Sequence, residues 1–369
     1  MSKKENYITI VLFFAFICAF SIAFWIVPDK AFSDNENRYL NEAPSVSGEK
    51  IVSGEFMEDW ESYVTDQFPA RDAFMELGVR YKYTLGMRDF NGVFVAEDGY
   101  LLSVIDRNSI DSSRVKLNIT SINLFLDKCV SNEKINNVSF MLVPDAVILL
   151  SDKLPKGVDV SWEKKLMDDI RKNISCKNII CPESEMLKIN EPLYYYTDHH
   201  WTGNGAMAAY KEYCKVLKME EKTANLTMVS EDFYGSLYSK VLFCEKHDVV
   251  MADASKADVK IVKDGDEALL YDFDMLEKKD KYLFFQGGNY GLVEIEGTGE
   301  GVLVILKDSF ANSFVPFLTE NYEKIVMVDL RYYMGSITAL CENQGATEVL
   351  VLYSLSNFVS DENMIKLGL

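Results

Sequence analysis

Apolar and polar positions change rhythm several times along the chain. From Ile8 to Val27 twenty residues run without a charge, ITIVLFFAFICAFSIAFWIV, and as an α-helix that length crosses a bilayer core of about 30 Å. Residues 29–52 are polar, include Pro44 and hold no period, which predicts a tether. Helical spacing returns at Phe56 in FMEDWESYVTDQFPARDAFMELGVRYKYTLG, where Pro69 separates two helices and Gly86 ends the second. NGVFVAEDGYLL, starting at Asn91, predicts a hairpin around Glu97, Asp98 and Gly99.

Beyond the hairpin the period alternates. Helices are expected over 115–130, 162–174 and 206–217, with strands at 138–144 and 177–181. The last third predicts strands at 282–286, 292–297, 301–307, 324–330 and 347–354, and helices at 310–319 and 334–342. Unbroken apolar runs such as VLVIL and VLVLY, separated by helices, are what a mostly parallel sheet covered on both faces requires. The expected fold class is α/β: a membrane anchor over 1–28, a tether over 29–52, and one domain over 53–369. Within that domain the acidic, less regular stretch 220–280 reads as an inserted lobe or irregular β segment.

Composition narrows the function. Hydrophobic residues at 48%, aromatic at 12% and charged at 26% exclude a disordered chain, a collagen-like repeat and a small disulfide scaffold. Lys and Arg number 38 against 57 Asp and Glu, for a net charge of −19, and no basic block is long enough to track a phosphate backbone. No nucleic-acid partner is expected.

Lys3 and Lys4 precede the apolar run. By the positive-inside rule the short end stays in the cytoplasm and the domain lies on the extracytoplasmic side, with Trp25 and Pro28 at the far interface. No small-x-small pattern follows, and Ile17 before Cys18 does not suit lipoprotein processing. The run reads as an uncleaved signal anchor holding the protein to the cell membrane in a single pass, with a cleaved signal peptide as the alternative. The remaining six cysteines are scattered without a CxxC, so they predict no metal site, and no bridge is assigned, Cys176 to Cys181 included.

Only three histidines occur, and two are adjacent in YYYTDHHWTGNG, residues 194–205. If Asp198 to His200 is extended, residues two apart share a side, so the Asp198 carboxylate can hold one imidazole nitrogen of His200 and leave the other free as a base. His199 then points away, and Gly203 and Gly205 allow a tight turn into the next helix. The structural alternative is that Asp198 or Thr202 caps that helix while Trp201 and Tyr194 to Tyr196 fill the core. A metal held by Asp198, His199 and His200 is disfavoured, since no further ligand is near and adjacent histidines rarely reach one ion.

The nucleophile candidate is Ser309 in VLVILKDSFANSF, which follows a buried strand and opens a helix. There the free N–H groups of the first helical turn face an oxyanion, and Asn312 adds a side-chain donor. The alternative is that Asp308 or Ser309 is an ordinary N-cap.

DHHW at 198–201 followed by KDSF at 307–310 resembles the DHHW protein family of bacterial cell-surface proteins, related to the SGNH-like alginate O-acetyltransferases of the AlgJ and AlgX type. ENRYL at 36–40, the run at 53–72, NGVFVAEDGYL, MLVPD, QGGNY at 286–290 and VDLRYY at 328–333 extend the likeness over nearly all of the exterior chain. The resemblance implies an SGNH-like α/β domain with Asp198 as orienter, His200 as base and Ser309 as nucleophile. Lys307 stands where SGNH proteins usually have a Gly, and His199 where the alginate proteins have Thr.

The implied activity is ping-pong acetyl transfer, without a cofactor, to a polysaccharide. Gly288, Asn289, Trp201, Arg331, Tyr332 and Tyr333 are further oxyanion or substrate candidates. An exterior transferase has no acetyl-CoA pool, so the implied partner is a membrane-bound O-acyltransferase that delivers the acyl group. A carbohydrate esterase with the same triad and a non-catalytic carbohydrate-binding protein are the competing classes.

Overall fold

A computed structural model describes residues 3–33, 35–36 and 38–368. The chain divides into two compact units, residues 1–87 with 239–243, and residues 88–238 with 244–369.

The first unit is helical. Helix α1, Lys3–Ile26, contains the stretch Asn6–Ile26, the one described helix long and apolar enough to cross a membrane. Helices α2, Glu55–Asp66, and α3, Arg71–Thr84, follow, broken at Pro69 as the sequence predicts. Residues 29–52 are more than a tether: Phe32–Ser33 pairs with Arg38–Tyr39, and a helix over Gly48–Ser53 is capped by Ser47. The Arg38 guanidinium donates to both oxygens of the buried Asp66 at 2.9 and 2.6 Å. Side-chain pairing of this kind is invisible to a search for periodicity. The boundary expected after residue 52 therefore falls inside this unit.

The second unit carries an eight-stranded sheet. In chain order its elements are α4, Ser112–Val130; β1, Asn137–Val143; α5, Ser161–Asn173; β2, Asn178–Ile180; α6, Gly203–Leu217; β3, Lys260–Lys263; β4, Asp266–Leu269; β5, Leu292–Glu296; β6, Val302–Lys307; β7, Lys324–Val328; α7, Ile337–Gln344; and β8, Glu348–Ser354. The order across the sheet is β4-β3-β5-β7-β6-β8-β1-β2. The five strands from β7 to β2 run parallel, and β5, β3 and β4 add antiparallel pairs at one end. The mostly parallel α/β fold expected from the sequence is observed. Apolar clusters lie on both sheet faces: Leu303 and Ile305 of β6 enter one, Val304 and Leu306 the other, by the two-residue alternation of a strand.

Several local expectations are corrected. Within 220–280, expected as an inserted lobe or irregular β segment, residues 260–269 join the main sheet, while Leu226–Phe233 pairs with Asp248–Asp253 outside it with shifts of register. YLFFQ is not a strand; Lys281–Phe284 is a 3₁₀ turn capped by Asp280, whose carboxylate accepts from the Tyr282 N–H. The helix expected over 310–319 is α-helical only at Ala311–Phe314 and continues as a 3₁₀ turn at Val315–Leu318, because Pro316 has no N–H to extend the ladder. All seven cysteines are unbridged.

Candidate active site

Strand β6 lies in the middle of the sheet with β7 and β8 parallel on either side, so its carboxyl end opens where open α/β sheets place their ligands. Asp308 and Ser309 follow directly. The Asp308 carboxylate, buried, accepts from the Ser354 N–H, the Ser354 hydroxyl, the Asn357 amide and the Phe310 N–H, all at 2.8–2.9 Å. It is Asp308 that satisfies the local backbone, and the Ser309 side chain is left for another partner.

That partner is His200. Its Nε2 lies 2.7 Å from Ser309 Oγ, and its Nδ1 lies 2.6 Å from Asp198 Oδ1. Asp198 and His200 are buried, and Ser309 is partly exposed. Residues separated by more than a hundred positions thus form one hydrogen-bonded line.

The route to this line differs from an extended strand. Residues 197–200 bend, and Asp198 Oδ1 also accepts from the His200 backbone N–H at 3.0 Å, so carboxylate and imidazole meet through a tight local turn. His199 does not point away. Its ring centroid is 3.9 Å from that of His200, and its Nδ1 is 2.8 Å from Ser236 Oγ. The helix cap is Thr202, whose Oγ1 accepts from the Gly205 N–H. Gly203 and Gly205 have ordinary backbone angles; what requires glycine is space, since a Cβ would sit 2.7 Å from Met251 O at the first and 2.3 Å from Leu193 O at the second.

Asp198 is gripped from a second side. The Ser236 N–H donates to Oδ2 at 2.7 Å, and Gly235 approaches so closely that a Cβ there would stand 2.3 Å from the Asp198 Cβ. Burial works to push the carboxyl up, but the imidazoles of His199 and His200 and the bonds from His200 and Ser236 outweigh it and hold the group well below the usual carboxylate range. Asp198 therefore stays ionised beside His200. Behind it, Asp248 accepts from the N–H groups of Tyr196 and Thr197 at 2.6 and 2.8 Å, and its own pKa is pushed up to about 6, chiefly by burial.

Tyr282 supplies the other wall. Its ring stacks on His200 at 3.7 Å with planes 9° apart, and its hydroxyl donates to the Ser309 carbonyl at 2.9 Å and meets Ser313 Oγ at 3.0 Å. Trp201 is buried, and its indole N–H bonds the Phe310 carbonyl and Ser313 Oγ, which makes it a brace for the Ser309 segment rather than a substrate surface.

The candidate oxyanion donors are also arranged differently from expectation. The N–H groups of Phe310, Ala311 and Asn312 are taken by Asp308 and by the Ser309 carbonyl. Among the described residues the Ser309 N–H has no such partner. Asn312 Nδ2 donates to Asn289 Oδ1 at 3.2 Å, and Lys307 Nζ donates to Asn289 Oδ1 at 3.0 Å and to Asn312 Oδ1 at 2.9 Å. An ammonium offers only donors, so both amide oxygens turn toward Lys307, and the Asn289 NH₂ group must face elsewhere. Lys307, buried with Asp329 at 3.7 Å, thus fixes the orientation of both amides; burial pushes its pKa down to about 8, against the attraction of Asp329. Gly288 holds a φ of +129° beside Asn289 and shapes that loop.

Arg331 reaches this cluster only through Asp329. It forms an ion pair with Asp329 at 2.6 Å and lies over the ring of the exposed Tyr332, and with Asp308 it lines a separate depression toward Asn357 and Ser360. Tyr333 packs partly buried against the apolar cluster that holds Val304 and Leu306. Asp198, His199 and His200 set one ligand atom each within 4.8 Å of one another, but both nitrogens of His200 are already engaged with Asp198 and Ser309. A cation there would have to break the line.

Tyr282, Ser236 and Asp248 carry no local signal along the chain. Glycine inside FYGSLY, in an otherwise aromatic stretch, is the one local hint that another backbone comes close.

A profile of the DHHW protein family matches residues 128–328, which include Asp198, His200 and Ser309. The chain belongs to the DHHW family. Among solved structures it is similar to a DHHW family protein from Eubacterium siraeum, at 23% identity and a TM-score of 0.61 over 76% of this chain and 95% of that one. It is also similar to Bacillus cereus PatB1, solved with a sulfonyl adduct, at 20% identity and a TM-score of 0.62 over 74% and 97%. The O-acetyltransferase domain of Pseudomonas putida AlgJ superposes more loosely, with 11% identity and a TM-score of 0.46 over 73% and 93%. No curated protein sequence matches this DHHW chain significantly. At these identities the solved structures speak for the fold.

Proposed function

We propose that this DHHW protein is an extracytoplasmic O-acetyltransferase that modifies a surface or exported polysaccharide through Ser309, His200 and Asp198. The observation that carries the reading is the unbroken line from Ser309 Oγ through both nitrogens of His200 to Asp198 Oδ1. Ser309 Oγ attacks the acyl carbonyl and gives its proton to His200 Nε2. The oxyanion so formed is met by the Ser309 N–H and the Asn289 amide. His200 returns the proton to the departing group, which leaves acetyl on Ser309. A sugar hydroxyl then loses its proton to His200 and attacks the acyl-serine, and the proton goes back to Ser309 as the ester leaves on the sugar.

Helix α1 is read here as the uncleaved anchor, with the catalytic unit outside, and a multi-span O-acyltransferase as the source of the acyl group. One span encloses no path for a polar acyl carrier, so delivery has to come from another membrane protein. PatB1, of the same fold, has been solved with a sulfonyl adduct; an activated serine is the kind of oxygen nucleophile that takes a sulfonyl group, and Ser309 is the candidate here.

The test loads the enzyme with acetyl from an activated ester, verifies the acetyl on Ser309 by peptide mass, and then offers acceptor glycans. Transfer to sugar faster than to water supports the transferase. Discharge to water alone, with glycans ignored, would make it an esterase, and no acyl-serine at all would leave a carbohydrate-binding protein.

A further inference from the structure

Helix α3 has one covered and one bare side. Tyr83 packs on Phe243 with ring centroids 5.0 Å apart, and the Arg80 guanidinium lies 5.0 Å over the same ring. The opposite face carries Phe74, Leu77 and Tyr81, joined by Leu85 just past the helix end, exposed by 39, 63, 64 and 69%. Steps of three, four and four residues put these side chains in one stripe along the helix.

This stripe is continuous with α1. Tyr63 meets Phe24 with centroids 5.7 Å apart, Phe68 stacks on Phe20 at 5.5 Å, and Phe74 touches both Phe20 at 5.3 Å and Phe16 at 6.3 Å. The ladder therefore descends α1 from its last turns toward its middle. Phe20 and Phe16 lie six and ten positions before Ile26, about 9 and about 15 Å along the axis.

Length leaves no freedom to lift those contacts out of the bilayer. The 21 residues from Asn6 to Ile26 cover about 31 Å against a hydrocarbon core of about 30 Å. Raising Phe16 to the surface would leave a segment of about 15 Å to cross that core. Whatever packs on Phe16 and Phe20 shares their depth. The charged groups of this turn suit that position because they are paired with one another: Asp66 with Arg38, and Glu36 with both Arg38 and Arg71.

We propose that the α2–α3 turn is set into the leaflet on the domain's side and that the Phe74–Leu77–Tyr81–Leu85 face lies against lipid acyl chains. This rests on α1 being an uncleaved span. The protein is then held by two elements, a crossing helix and a half-immersed one. That second contact fixes the tilt of the unit on the membrane, which a single span cannot do.

The test uses the full chain in its native membrane with p-benzoylphenylalanine in place of Leu77, of Tyr81, or of the exposed Lys82, which lies about 140° round the helix from Leu77. On irradiation the first two sites should yield protein shifted by the mass of a phospholipid, and the Lys82 site should not. Two positions guard against one replacement disturbing the fold. Adducts at Leu77 and Tyr81 to another membrane protein, or none above the Lys82 level, with the chain still membrane-held and its N-terminus intact, overturn this proposal alone. A mature N-terminus beyond Pro28 with release from the membrane overturns the anchor reading and this proposal with it.

Discussion

The ring of Tyr282 lies flat on the imidazole of His200, with centroids 3.7 Å apart, while its hydroxyl holds the carbonyl of Ser309 at 2.9 Å. One side chain thus fixes both the plane of the proposed base and the backbone of the proposed nucleophile. Tyr282→Phe should keep the stack and lose the bond, costing about 1 kcal/mol of stability and lowering kcat with little change in KM. Tyr282→Ala removes a buried ring as well and should cost about 3–5 kcal/mol. Denaturant titration beside steady-state kinetics separates the two. Equal activity in Tyr282→Phe and the parent would show that the bond to Ser309 does not matter for chemistry.

Ser309→Ala and His200→Ala should each lower acetyl-ester turnover by at least about 10³-fold, and the double variant should be no worse, because residues acting as a unit are not additive. A sulfonyl fluoride should add to Ser309 in the parent and fail to do so in His200→Ala, read by peptide mass. A folded Ser309→Ala protein with full turnover contradicts the assignment.

Gly235 is fixed by the proximity of Asp198 rather than by its own backbone angles. In Gly235→Ala the new methyl must displace the Asp198 side chain, which also carries the bond from the Ser236 N–H. The expected result is a loss of about 1–3 kcal/mol and a fall of about 10²-fold in kcat/KM from a misplaced orienter. A crystal structure of the variant with Asp198 unmoved and activity intact would refute this.

Lys307 sets a pH signature. Its pKa is pushed down to about 8 by burial, while in the unfolded chain it sits near 10.4. Below pH 8 both states carry the proton and the cost of burying the charge is felt in full. Between the two values the unfolded state binds more protons, so the contribution of this group to stability rises with pH. Relative to Lys307→Met, the parent should gain about 2–4 kcal/mol on going from pH 7 to pH 11. Asp329, Arg331 and Asp308 are the charged groups around it and are common to both proteins, so the difference isolates Lys307. A flat difference in chemical denaturation across that range would place the pKa elsewhere.

Much of this protein is written locally. The apolar length of Ile8–Val27, the break at Pro69 and the apolar runs of β6 and β8 follow from composition and period, because a strand covered on both faces favours apolar residues along its length. Asp198, His200 and Ser309 were legible for a different reason: two short motifs, DHHW and KDSF, each bring their chemistry on adjacent residues. Where expectation failed, the deciding interaction was distant or had no period. Pro316 shortened a helix, and Asp280 turned YLFFQ into a 3₁₀ turn that presents Tyr282.

The sequence alone therefore singled out the side chains proposed for the acid–base chemistry and a mostly parallel sheet to hold them. Only the tertiary structure decided their geometry. Gly235 and Asp248 reach Asp198 and Thr197 from some forty to fifty residues away, and Lys307 meets Asn289 across a loop. The physical reason is range: period and propensity act over one turn of helix or a few residues of strand, whereas the orientation of a buried carboxylate or amide is set by whichever donors the folded chain brings within about 3 Å.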